Sequence, residues 1–316
     1  MNQATSWPAV DVIVPTRDRK ELLRRCIDAI LAQEYPGDIR VLVVHDQSEP
    51  DRSVERVETA DGSSHHAARC VEVIENSRAT GLAGARNTGL LASTAPLVAF
   101  CDDDDLWLAG KLRRQVEVLR DDPAAAFVCS GIRVRYGDVS RDRTLPQARI
   151  ELRDLLRDRL TELHPSTFLM RREAVVSGFG LVEEDIPGSY AEDYEFLLRA
   201  ARWAPIRNVP EVGVEVLWHQ QSYFDSRWAT ISTALTWLLD RYPEFADVPN
   251  GEARVTGQIA FASAAQGERR DALRWARHTI RRNPGEARAY LALCVASGAV
   301  RADTVIKRLH AAGRGL

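Results

Sequence analysis

VAFCDDDDLW, residues 98–107, decides how the rest of the chain is read. An apolar run opens directly into Asp102, Asp103, Asp104 and Asp105. Like charges that close raise each other's pKa unless a cation lies between them. In extended chain alternate side chains share a side, so Asp102 and Asp104 fall together if the strand continues that far. Two readings are open. One is a pair of carboxylates holding a hard divalent ion, Mg²⁺ or Mn²⁺, through oxygen ligands. The other is a solvated acidic turn in which Asp105 caps the next helix. Position favours the first, because the run ends a buried strand.

Just upstream lies GLAGARNTGL, residues 81–90. It is not GxGxxG, and no acidic residue follows at the distance a dinucleotide fold needs. Gly81, Ala83, Gly84 and Ala85 are small and allow close backbone approach, with Arg86 and Asn87 offering a cation and an amide beside it. Helix-to-sheet packing with a surface arginine is the plainer alternative.

Working outward, short apolar β-branched runs alternate with amphipathic segments. VDVIVP, RVLVVHD, CVEVI, PLVAF and AAAFVCSGIRVR read as strands. Leu22, Leu23, Cys26, Ile27, Ile30 and Leu31 make one face of a helix that Pro36-Gly37 stops. Further helices are expected from about Ala83 and from Trp107 to Asp122-Pro123. This alternation predicts an α/β fold with a doubly wound, mostly parallel sheet. Its ligand crevice belongs at the carboxyl ends of the strands, where TRDR, HDQS and CDDDD all fall.

AEDYEFLLRAARWA reads as a helix with Glu192 and Asp193 in its first turn, and IRNVPEVGVEVLWH as extended chain. From Trp228 onward the pattern is helical, which divides the chain into an α/β domain, 1–224, and an α-helical C-terminal domain, 225–316. GERRDALRWARHTIRRNP is similar to one tetratricopeptide unit, with Gly267, Ala272, Ala276 and Pro284 at the small-residue and closing-proline positions. A helical appendage is the modest reading of this tail, a peptide-binding array the sharper one.

The composition is that of a soluble globular protein: 316 residues, 45% hydrophobic, 28% charged, net charge −3. No global field draws it to nucleic acid or to an anionic membrane. Only three of the 42 basic residues are lysines, and the arginines are interleaved with Asp and Glu, which reads as codon bias rather than a binding surface. Five cysteines without a CxxC pair suit reduced thiols in a cytoplasmic protein. Neither a signal peptide nor an eighteen-residue apolar run is visible.

VIVPTRDR, VVHDQS, GLAGARNTGL, VAFCDDDDLW and AEDYEFLLRA occur in the order and spacing of family 2 glycosyltransferases, and from Val10 to His219 the chain resembles them. The resemblance implies a GT-A fold and inverting transfer from a nucleotide-diphosphate sugar, often UDP-linked, with Mg²⁺ or Mn²⁺. It implies that Pro15, Thr16 and Arg17 edge the base pocket and that Asp46 hydrogen-bonds the base. Arg86 and Asn87 would hold the nucleotide side. Asp102 and Asp104 match the DxD signature, Asp102 reaching ribose or metal and Asp104 the metal itself. Asp103 joins the donor-binding group. His219 lies where some such enzymes place a late metal or diphosphate contact, and Asp193 matches the catalytic base. His45 and Gln47-Ser48 depart from the commoner Asp and Gly-Ser. His164, Ser166 and Thr167 fall near the acceptor side.

The expected partners are a nucleotide sugar and an acceptor that the sequence leaves open: glycan, lipid-linked, small molecule or peptide. Location is expected to be cytoplasmic, if membrane-associated then peripheral, and the helices offer a route to a homo-oligomer. Two other readings compete. A non-catalytic adaptor on a degenerate transferase domain sits poorly with the presence of Asp102, Asp104 and Asp193 together. A two-metal phosphohydrolase needs paired histidines that the seven here do not show.

Overall fold

The structure is a computed structural model and describes residues 7–58, 67–137, 139–217 and 227–311. The chain divides into two compact units. The first holds Met1–Leu152, Leu160–Glu184 and Glu192–Gln220; the second holds Arg153–Arg159, Asp185–Ala191 and Gln221–Leu316. The helical unit therefore takes in two short segments that a single cut after residue 224 leaves in the first domain. The cut itself lies outside the described residues.

One eleven-stranded sheet forms the first unit. Its strands are β1 (Val10–Thr16), β2 (Ile39–His45), β3 (Arg56–Glu58), β4 (Arg69–Glu75), β5 (Leu97–Phe100) and β6 (Leu106–Trp107). β7 (Phe127–Tyr136), β8 (Val139–Arg143), β9 (Arg149–Ile150), β10 (Leu169–Arg171) and β11 (Ile206–Leu217) complete it. The order is β3-β4-β2-β1-β5-β10-β7-β11-β6, with β8 beside β7 and β9 beside β11. The expected strands are present, and β4-β2-β1-β5 run parallel, as do β7 and β11.

The longer strands pair parallel, and short antiparallel strands are added to them. β10 is inserted antiparallel between β5 and β7 and joins the two parallel blocks. β3, β6, β8 and β9 are antiparallel additions. Elements of two to five residues carry too few side chains to show a period, so they escape a pattern reading.

α1 (Lys20–Leu31) buries Leu23, Cys26, Ile27 and Ile30, the predicted stripe. α2 (Leu82–Ala92) is buried from Ala83 to Leu90 and lies very close to the sheet. A Cβ on Gly89 would stand 2.4 Å from Ile13 Cγ2, and one on Gly84 1.8 Å from the Ala79 carbonyl oxygen. α3 is Lys111–Asp121 and α4 is Leu152–Arg157. α5 (Glu192–Trp203) is seated by aromatic rings. Phe196 meets Phe179 at 5.3 Å and Phe100 at 5.9 Å, and Phe127 meets Phe168 edge-on at 4.9 Å. This packing fixes where the first turn of α5 points. All five cysteines are free thiols, with Cys26, Cys101 and Cys129 buried.

The second unit is helical: α6 (Trp228–Arg241), α7 (Pro249–Ala265), α8 (Arg269–Arg282), α9 (Ala287–Ala296) and α10 (Ala302–Ala311). Small residues let these helices approach closely: Ala260, Ala264, Ala272, Ala276, Ala289, Ala292 and Ala296 form a buried cluster. Thr256 on α7 and Thr279 on α8 share a buried hydrogen bond of 2.8 Å. Gly251 lies against the Leu156 carbonyl, where a Cβ would stand 1.9 Å away, and this close approach ties the 153–159 segment to α7.

Candidate active site

Parallel register brings the polar ends of β1, β2 and β5 to one edge. Thr16 pairs with His45, and Ile13 with Phe100. The chain leaves β1 and β2 through left-handed turns, with φ of 53° at Asp18 and 55° at Gln47. That backbone favours glycine, and this chain carries Asp18 and Gln47 there.

The acidic run turns instead of continuing the strand: β5 ends at Phe100, and the Asp105 N–H closes on the Asp102 carbonyl at 3.1 Å. Asp102 and Asp104 are half-buried and Asp103 and Asp105 buried. Asp103 accepts from Thr16 Oγ1 at 2.7 Å and from Arg19 Nη1 at 3.2 Å. The same Arg19 nitrogen donates to Asp104 at 2.7 Å. Asp105 does not cap α3, which begins after Gly110. It accepts from Ser166 Oγ at 2.5 Å and lies 3.3 Å from His164 Nδ1. Asp102, Asp105 and His164 each bring a ligand atom to within 4.8 Å of the others.

Arg86 links this loop to α5. Its guanidinium is 2% exposed and donates through Nη2 to Asp102 at 2.7 Å and through Nη1 to Glu192 at 3.0 Å. The group also lies 5.5 Å from the Phe100 ring. Burial alone would lower the Arg86 pKa, but the charges of Asp102 and Glu192 outweigh it and the net shift is upward. Burial also pushes the carboxyl of Asp105 up to about 7, against the pull of His164. Glu192 rises to about 7 through burial and the neighbouring Asp193 charge. Burial raises Asp103 as well, despite Thr16 and Arg19. Burial is the first cause of all three upward carboxyl shifts, and neighbouring carboxylates add to it.

Asp46 at the end of β2 is held by the protein. It accepts from Asn76 Nδ2 at 2.8 Å, the Gly81 backbone N–H at 2.9 Å and Gln47 Nε2 at 3.1 Å. His45 takes the Asp51 N–H on Nε2 at 3.3 Å, which leaves Nδ1 to donate to Ser48 Oγ at 3.2 Å.

Comparison with known proteins gives the family and the fold. The model of the family described as "Glycosyl transferase family 2" matches residues 11–179, 169 of the 316. The chain belongs to glycosyl transferase family 2. Among curated relatives, the uncharacterized glycosyltransferase EpsJ of Bacillus subtilis is 31% identical over 62% of this chain and 57% of its own. The Escherichia coli protein WfgD, named a UDP-Glc:alpha-D-GlcNAc-diphosphoundecaprenol beta-1,3-glucosyltransferase, is 30% identical over 35% of this chain and 40% of its own. The chain therefore spans about half the length of these relatives, 57% and 40%. Among solved structures, the mannosyltransferase PcManGT of Pyrobaculum calidifontis, in complex with GDP-Man and Mn²⁺, superposes with a TM-score of 0.55 at 22% identity. That alignment covers 93% of this chain and 80% of the other. The likeness is one of fold, GT-A.

In this family 2 chain, the expected residues fall as follows. Thr16, Asp46, Arg86, Asp102, Asp103 and Asp104 gather at the strand ends; Pro15 is buried within β1 and Arg17 is exposed just beyond it. Asp193, half-buried, lies beside Glu192 in the first turn of α5. Asn87 is buried and bonded to the 182–184 segment. Its Nδ2 donates to the Val182 carbonyl at 2.8 Å and to Glu184 at 2.6 Å, and its Oδ1 accepts from Val182 N–H at 2.8 Å, so it straps the 182–184 segment to α2. His219 lies outside the described residues.

Glu192, Arg19 and Asp105 were not singled out for these contacts. TRDR and HPST hold the signals for Arg19 and for the His164–Ser166 pair, but nothing local announces Glu192 as the second partner of Arg86. Lys111 was missed too. It is 1% exposed, donates to Gln115 at 2.8 Å and lies 3.7 Å over the Trp107 ring. Burial lowers its pKa to about 7.

Proposed function

We propose that the chain is a metal-dependent, inverting glycosyltransferase that moves a sugar from a UDP-linked donor to an acceptor hydroxyl. The observation that carries this reading is the buried Arg86 bridge, which ties Asp102 of the aspartate loop to Glu192 beside Asp193. Donor-binding and proton-accepting carboxylates thereby share one rigid frame.

Asp102 and Asp104 would hold Mg²⁺ or Mn²⁺, with Asp105 and His164 within reach of the same region. Carboxylate oxygens with one imidazole suit either ion. A bound ion supplies Lewis-acid relief of the charge that grows on the departing diphosphate. Arg86 keeps Asp102 oriented, and Arg19 braces Asp103 and Asp104. Asp46 closes the 76–81 loop through Asn76 and Gly81 and so shapes the wall where a base would lie. Asp193 takes the proton of the acceptor hydroxyl as attack proceeds. One base and direct displacement invert the anomeric centre, so an α-linked donor yields a β-glycoside. The name of the Escherichia coli relative favours a lipid-linked diphosphate acceptor and a UDP donor.

Calorimetric titration with UDP-sugars, with and without Mn²⁺, tests donor and metal together; tight binding with Mn²⁺ and weak binding without it is the expected result. Asp193→Asn should keep that binding while metal-dependent donor turnover falls about 10³-fold. Absence of nucleotide-sugar binding in both conditions overturns the transferase reading, and unchanged turnover in Asp193→Asn removes the base assignment alone.

A further inference from the structure

The arginines of α8 lie on one line. At about 100° per residue, Arg270, Arg274, Arg277 and Arg281 fall within an arc of about 60°. Ala272, Ala276 and Thr279, the buried residues of α8, lie on the opposite side. All four arginines are exposed. Arg274 is 68% exposed and meets Asp271 at 2.9 Å. Arg282, off the line, is instead turned onto Glu252 and the Ala246 carbonyl. Leu273, 37% exposed, flanks the row. α8 carries six arginines and one aspartate, whereas the rest of the chain carries 36 basic against 44 acidic residues. The interleaving of charge that holds elsewhere fails here, so codon bias does not account for the row.

The geometry points to this face of α8 as the surface that docks the protein on an anionic lipid bilayer. A straight row of guanidinium groups meets a plane of phosphates, each fork taking phosphate oxygens bidentately. Leu273 beside the row enters the interfacial layer as the arginines reach the headgroups. A nucleic acid draws its affinity from many phosphate contacts over a broad basic surface, and a single line of four arginines does not offer one. None of the described helices is long and apolar enough to cross a membrane, so contact through α8 is peripheral. The assignment stands on the arginine row and does not depend on the transferase reading.

Flotation of the full chain with phosphatidylcholine vesicles, with and without phosphatidylglycerol, tests it. The protein should float with the anionic vesicles, sink with the neutral ones, and come off as salt rises. Combined Arg270→Gln, Arg274→Gln, Arg277→Gln and Arg281→Gln should weaken binding at least about 100-fold, while the four Arg→Lys changes keep most of it. A urea melt and UDP-sugar titration of the Gln variant should match the wild type, which separates docking from folding and from donor binding. No flotation at low salt, equal flotation of the Gln variant, or displacement from vesicles by RNA at equal phosphate concentration overturns the proposal.

Discussion

At the carboxylate edge of the sheet, Arg86 is sealed between Asp102 and Glu192 at 2% exposure. On α8, Arg270, Arg277 and Arg281 stand outside, and the face turned to the neighbouring helices is alanine and threonine. The same residue type thus serves two ends. A buried guanidinium organises carboxylates that water would otherwise screen. Exposed ones leave packing untouched and remain available for a partner. Where charge is buried against its own cost, chemistry is the reason to look for; where it is exposed in register, a surface contact is.

The largest expected effect breaks or upholds this contrast directly. Arg86→Met leaves Asp102 and Glu192 facing each other without their cation and should lower unfolding free energy by about 3–5 kcal/mol in urea. Arg277→Met on α8, measured in parallel, should stay within about 0.5 kcal/mol. Equal losses in the two variants would erase the distinction. A middle-sized effect sharpens it from the other side. Ala276, fully buried on α8, has no room to grow, so Ala276→Leu should cost about 1–3 kcal/mol while UDP-sugar titration stays unchanged. Loss of donor binding in that variant would show that the helical stack shapes the site.

The smallest effect is a pH dependence at the sheet edge. Burial lowers the His45 pKa below its ordinary 6.5. The unfolded chain therefore binds more protons in the window just below 6.5, and stability is full above it and is lost as pH falls through the folded value. His45→Gln should remove a component on the order of 1 kcal/mol or less from that slope, read from urea midpoints at pH 5 and 7.5. A slope identical in the two proteins would mean that His45 is not the titrating group.

Much was legible in the chain itself. Parallel strands end on one edge, so a reader who finds β1, β2 and β5 by their apolar runs has already gathered Thr16, Asp46 and Asp102–Asp105. The expected alternation of Asp102 and Asp104 required the strand to run on, but β5 ends at Phe100 and a turn follows, closed by the Asp105 N–H on the Asp102 carbonyl at 3.1 Å. The helical tail was expected from Trp228 onward, and Ala272 and Ala276, placed by likeness to a tetratricopeptide unit, are buried. Apolar runs and helical stripes are local periods, and local periods follow from backbone geometry alone.

The long-range pairings were settled only by tertiary structure. Arg86 meets Glu192 across 106 positions, Thr16 meets Asp103 across 87, and Ser166 meets Asp105 across 61. Asn87 meets Val182 across 95 positions through two hydrogen bonds of 2.8 Å. β10, three residues long, joins the two parallel blocks of the sheet by pairing antiparallel with β5 and β7. None of these leaves a period in the sequence. Each depends on which side chains face one another once sheet, helices and aromatic core have closed, and burial there sets both the partners and the proton affinities of the site.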